Sequence, residues 1–174
     1  MGREVRKVPA DWQHPKGGDG DFIPLFGRSY SEGVRKWEEG LALWERGLRD
    51  DWKGGTVPHG ERPDVYAWAE WNGGRPRPEE HMPDWPPEQR THLMMYEDTT
   101  EGTPISPAFA TPEELARWLA DNGASSFGSA GRATYEQWLA VARGGWAPSM
   151  VLDSKGLRSG VEAMADMAEK EKDG

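Results

Sequence analysis

The residues able to do acid–base or metal chemistry are few. The chain has four histidines, His14, His59, His81 and His92, and no cysteine. No two histidines share a spacing such as H-x-x-x-H, and no thiolate can complete a metal set. His81 and His92 flank a proline-rich connection, with Glu79, Glu80 and Asp84 close to the first. They are the candidates for a mixed histidine–carboxylate metal site, although ordinary surface histidines need no metal. Hydroxyl nucleophiles are Ser106 in "ISPAF" and Ser125–Ser126 in "ASSFGSAG". The G-x-S-x-G elbow is missing, and the Ser/Gly run lacks the lysine of a phosphate-binding loop. Glu97, Asp98 and Glu101 make an acidic turn, followed by Thr103 and Ser106 in the rigid stretch "EGTPISP". Such a turn can hold a divalent cation or face a basic partner. These spacings assign no catalytic residue and imply no cofactor, so binding is expected ahead of enzymatic activity.

Aromatic chemistry is richer. Ten tryptophans occur in a chain that is only 36% apolar, so a few indoles, each hiding roughly 150–250 Å², must do much of the burying. Tryptophans beside basic residues (Arg35, Lys36, Trp37; Trp44, Arg46; Trp52, Lys53) are a base-stacking pattern. The helical spacing of Trp37 and Trp44 assigns those two to a core instead. Trp12, Trp85 and Trp146 sit beside Pro or Gly and suit an interface, where tryptophan anchors are enriched. The net charge of −9 disfavours direct nucleic-acid binding, whose affinity comes from Lys and Arg on phosphates. Residues 97–121 carry six acidic side chains against Arg117 alone, an acidic face suited to a protein partner.

The elements that must position these groups read as follows. Residues 1–20 are polar and Gly-rich, expected to form a flexible arm; 21–151 are expected to form one globular domain, and 152–174 a helix with a charged tail. Val34, Trp37, Leu41, Trp44 and Leu48 form one helical stripe, with Ser31 as its expected cap. Gly33, Gly40 and Gly47, seven apart, leave room for close approach along that helix. Residues 62–74 read as a short helix or a strand, 75–90 as a proline-rich connection, and 91–99 as a strand. Pro104 and Pro107 confine 103–110 to an edge strand or extended loop. Thr111-Pro112-Glu113-Glu114 and Thr134 to Gln137 are capping boxes opening two helices. The expected fold is α+β: a small single domain with three or four short helices, a small antiparallel strand pair or meander, and long Pro/Gly-rich loops. No apolar run approaches the roughly 20 residues of a membrane span, and the N-terminus lacks the apolar stretch of a secretory signal.

The strings "PDWPPEQRTHLMMYEDTTEGTPISPAFATPEELARWLADNGASSFG" and "ATYEQWLAVARGGWAPSMV" resemble small acidic, Trp-rich proteins encoded by bacteriophages and prophages. The resemblance spans roughly residues 81–151, and more loosely "VRKVPADWQHPK". It implies a phage accessory role in the bacterial cytoplasm or the virion and carries over no catalytic residues. The expected function is macromolecular binding, with inhibition of a host nucleic-acid-handling defence system as one form. A virion structural part and a small metal-dependent enzyme are the alternatives. Binding would then run through Trp85, Glu97, Asp98, Glu101, Thr103, Ser106 and Trp146.

Overall fold

The computed structural model describes residues 2–98, 102–127, 132–154 and 156–172. In chain order the first elements are β1 (Gly2–Val8), β2 (Phe26–Ser29), α1 (Tyr30–Trp44), β3 (Leu48–Asp50), β4 (Thr56–Pro58), α2 (Val65–Asn72) and β5 (His81–Met82). Then follow β6 (His92–Glu97), β7 (Thr103–Pro104), α3 (Pro112–Asp121), α4 (Tyr135–Gly144), β8 (Trp146–Pro148), β9 (Met150–Asp153), β10 (Gly156–Ser159) and α5 (Gly160–Lys172). The fold is mixed α/β with small, largely antiparallel sheets, and it divides into two compact units, residues 1–25 with 85–174, and Phe26–Asp84. Among the described residues no helix is long and apolar enough to cross a membrane.

The larger unit is built on a four-stranded sheet of order β7-β6-β1-β8, antiparallel at every pairing. Its core joins Met95 of β6 and Ala147 of β8 to Leu115 and Leu119 of α3, Trp138 and Val141 of α4, and Val161 of α5. Both capping boxes form as the sequence predicts: Thr111 Oγ1 accepts from the Glu114 amide, and Thr134 Oγ1 from the Gln137 amide. The helix expected over 152–174 begins only at Gly160; Leu157 before it lies on β10 and is exposed.

The flexible arm expected over 1–20 is corrected by β1, which lies inside the sheet between β6 and β8. Its charged residues hid it. Arg3 and Arg6 are buried, each with its charge answered. Arg3 Nε and Nη2 donate to Ser125 O at 2.9 and 2.7 Å, Nη1 lies 3.2 Å from Glu97 Oε1, and the guanidinium sits over the Phe127 ring. Arg6 Nη1 donates to Leu25 O at 2.6 Å, Nε pairs with Glu4, and the group stacks over Tyr96. A buried cation without such partners would be strongly destabilising.

The smaller unit, Phe26–Asp84, packs α1 against α2 through Trp37, Trp44, Ala67 and Trp68. The α1 cap is Ser29, not Ser31: Ser29 Oγ accepts from the Glu32 amide, whereas Ser31 donates to Asp84. The segment that could have been helix or strand is α2, which brings the α-helices among the described residues to five. Asp64 Oδ1 accepts from the amides of Tyr66 and Ala67, which satisfies two first-turn donors and nucleates it. The glycine spacing on α1 is used within the unit. A Cβ at Gly40 would lie 2.4 Å from Trp68 Cζ2, and one at Gly33 would lie 2.8 Å from His81 Cε1.

Two stability outcomes follow. Thr111→Ala should lose about 1 kcal/mol in denaturant unfolding through the lost cap. Gly40→Ala should lose about 1–3 kcal/mol despite its higher helix propensity, because the methyl displaces Trp68. A stabilised Gly40→Ala protein would show that the indole does not rest on that glycine.

Candidate functional site

The residues singled out around the acidic turn do come together in part, but as scaffold. Glu97 pairs with buried Arg3 and stands opposite Thr103 in the β6–β7 register. Asp98 accepts from the Gly2 amide and, through Oδ2, from Trp146 Nε1 at 3.4 Å. Ser106 is buried; its hydroxyl accepts from the Met95 amide at 2.9 Å and donates to Pro107 O at 2.8 Å, holding the extended segment against β6. Glu101 lies outside the described residues. Trp85 is half-buried and packs edge-on against Trp12 with centroids 4.6 Å apart. Each of these described groups has an intramolecular task that accounts for its position.

The histidines also have structural partners. His81 Nδ1 meets Arg28 O at 3.0 Å, and His92 Nδ1 meets Thr91 Oγ1 at 3.0 Å. Among the described residues no three His, Asp or Glu side chains converge to hold a metal ion. His59 stacks on Trp44 with centroids 3.8 Å apart, and its Nε2 lies 2.8 Å from Trp44 O. His14 is buried between Ile23 O (2.6 Å from Nε2) and the Tyr96 hydroxyl (3.2 Å from Nδ1), and Trp12 Nε1 also donates to that hydroxyl. Burial pulls the His14 pKa down, partly opposed by its bond to Ile23 O, and pushes the Tyr96 phenol up.

The site that the sequence did not single out lies within Phe26–Asp84. A cavity of about 800 Å³ opens there, lined by Trp37 and Gly40 of α1, Trp68 and Trp71 of α2, Arg49 and Asp50 of β3, Trp52, Arg28 and His81. Helix α1 forms one wall because Gly40 admits Trp68 of α2 closely, and α2 supplies two indoles three residues apart on one helical face. The β3–β4 hairpin adds the rest. Asp50 pairs with Thr56 across it, and residues 51–55 close the turn.

That turn holds Trp52 in an unusual state. Its φ is +64°, in the left-handed region that a bulky residue rarely adopts, and the residue is 83% exposed. Two aspartates hold the conformation. Asp50 Oδ1 accepts from the Trp52 amide at 2.7 Å, while Asp51 Oδ1 accepts from the Lys53 and Gly55 amides at 2.8 Å. Those amides hold the Asp51 carboxyl below the usual range. Trp71 is 53% exposed, and the Arg49 guanidinium lies over its ring, 5.3 Å from the centroid. Deeper in, Trp37 Nε1 donates to Gly73 O and Trp44 Nε1 to Arg62 O. Trp68, 7% exposed, has a buried Nε1–H without an acceptor. The "DWKGG" turn and its neighbouring basic residues were the available signal. Only the hairpin separates Trp52, which faces solvent, from the core indoles of the same pattern.

No protein-family model, curated protein or solved structure matches this chain. The site therefore rests on its own geometry.

The His14 environment yields a pH dependence. Its folded pKa is lowered, so the unfolded chain takes up the proton first. The contribution is present in full above the ordinary value of 6.5 and is lost as pH falls through the lower folded value. The melting temperature should drop more between pH 7.5 and pH 5 in wild type than in His14→Gln; equal drops would remove His14 as the cause.

Proposed function

We propose that this protein is a non-catalytic binding protein whose recognition site is the tryptophan-lined cavity of Phe26–Asp84. The observation that carries the reading is Trp52. A bulky residue on left-handed backbone costs about 1–3 kcal/mol, and an exposed indole gains nothing from folding. Both are intelligible where the indole is set out for a partner, since tryptophan anchors concentrate binding energy. The half-exposed Trp71 and the cavity behind it supply the surface on which such an anchor closes.

The resemblance of residues 81–151 to phage-encoded proteins gives this binding protein its setting. It acts as an accessory factor in a bacterial host, and its partner is a host component. Inhibition of a nucleic-acid-handling defence system suits a small acidic protein that works by occupancy.

The test uses immobilised wild-type and Trp52→Ala protein in bacterial lysate, with retained proteins and small molecules quantified by mass spectrometry. The substitution should leave the melting temperature within about 2 °C, as expected of an exposed side chain. It should reduce the specifically retained species about tenfold. Retention identical to wild type would refute the site.

A further inference from the structure

Resting on that reading, we infer that the cavity takes a small planar aromatic anion of the nucleoside phosphate class. The shape chemistry comes first. The exposed indole of Trp52 and the half-exposed one of Trp71 border a space of about 800 Å³. That is within the roughly 300–1,000 Å³ of small-molecule sites. Flat π-systems stack favourably on indole, so a ring system is the natural occupant of that edge.

The charge of the occupant follows from which side chains are already engaged. Three charged groups of the lining are committed: Lys36 to Glu32, Glu39 to Arg35, and Glu80 to Arg77. Asp50 is engaged by the Trp52 amide. Arg28 and Arg49 differ. Neither guanidinium makes a hydrogen bond among the described residues; Arg28 lies in the field of Glu32, and Arg49 is held over the Trp71 ring. An arginine fork with open donors, at a cavity lined by indoles, is suited to a phosphate group. The open hydrogen-bonding positions of the two guanidiniums are all donors, so a ligand they hold must present acceptors.

Its size follows from the surrounding field. The segment 26–84 carries nine basic and twelve acidic side chains, a net −3, within a chain of −9. A strand threading several phosphates needs a continuous basic track, which this surface does not offer. Two arginines serve one or two phosphates. The ligand is therefore a mononucleotide or a similarly compact molecule.

The experiment is titration of the full chain with nucleoside 5′-monophosphates, read by tryptophan emission and calorimetry. Adenosine, ribose 5-phosphate, inorganic phosphate and an oligodeoxythymidine of about 20 nucleotides serve as comparison arms. At least one monophosphate should bind with Kd below about 1 mM, quench tryptophan emission, and lose about tenfold in affinity when either the base or the phosphate is removed. Arg28→Gln and Arg49→Gln should each weaken the monophosphate about tenfold while leaving adenosine unchanged. Arg28 is exposed, so its variant should retain the wild-type melting temperature and report on binding alone. Three outcomes overturn the inference: no monophosphate binds, binding ignores both arginines, or the oligonucleotide binds more tightly than any monomer. If monophosphates fail while Trp52-dependent retention from lysate persists, the ligand class falls and the binding site stands. If both fail, the site itself falls.

Discussion

An indole carries an N–H into whatever core it fills, and that requirement organises this molecule. With few aliphatic residues available, the chain builds its interiors from tryptophan, and each buried ring needs an acceptor placed beside it. Two of the acceptors are carbonyls of irregular backbone and one is a side-chain hydroxyl. Gly73 O receives Trp37, Arg62 O receives Trp44, and the Tyr96 hydroxyl receives Trp12. Long Pro/Gly-punctuated connections are thus a working part of the cores, since a regular helix or strand has no spare carbonyl to offer. Trp68 and Trp138 are exceptions among the described residues. Both N–H groups are sealed from solvent, Trp138 in the core of the larger unit and Trp68 in the indole cluster of α1 and α2.

The second economy concerns charge. Arg3 and Arg6 make the central strand of the larger sheet possible by anchoring two otherwise separate loops, at Ser125 and Leu25. The acidic turn that looks outward in the sequence is in part consumed by this: Glu97 answers Arg3, and Asp98 closes on the start of the same strand. Around the cavity of Phe26–Asp84 the pattern reverses. There Glu39 and Glu80 are paired with arginines, and the guanidinium donors of Arg28 and Arg49 are left open.

Much of the helical framework was legible. Thr111 and Thr134 announced their helices because a cap is a local event, decided by four consecutive residues. The stripe of Val34, Trp37, Leu41 and Trp44 was legible because the helical period repeats along the chain, but Leu48, expected to continue it, lies on β3 past the end of α1. Strand β1 was not, because "GREVRKV" buries two arginines, and the groups that answer Arg3, Glu97 and Ser125, lie 94 and 122 residues away. The candidate site was legible only as a composition of Trp beside Lys and Arg. Which of those indoles faces inward depends on the β3–β4 turn and on the contact of Trp68 with Gly40.

The sequence by itself determined an acidic, cysteine-free chain with tryptophan cores, capped helices and a proline-stiffened extended segment. These follow from residue chemistry and spacing over a few positions. Tertiary structure alone decided that Ser106 is a backbone clamp, that Glu97 is spent on Arg3, and that Trp52 stands out to solvent from its turn. The physical reason is the same in each case. Whether a polar group is spent or available depends on the partner that folding brings to it, and that partner lies far away in the chain or across a turn whose conformation no local pattern encodes.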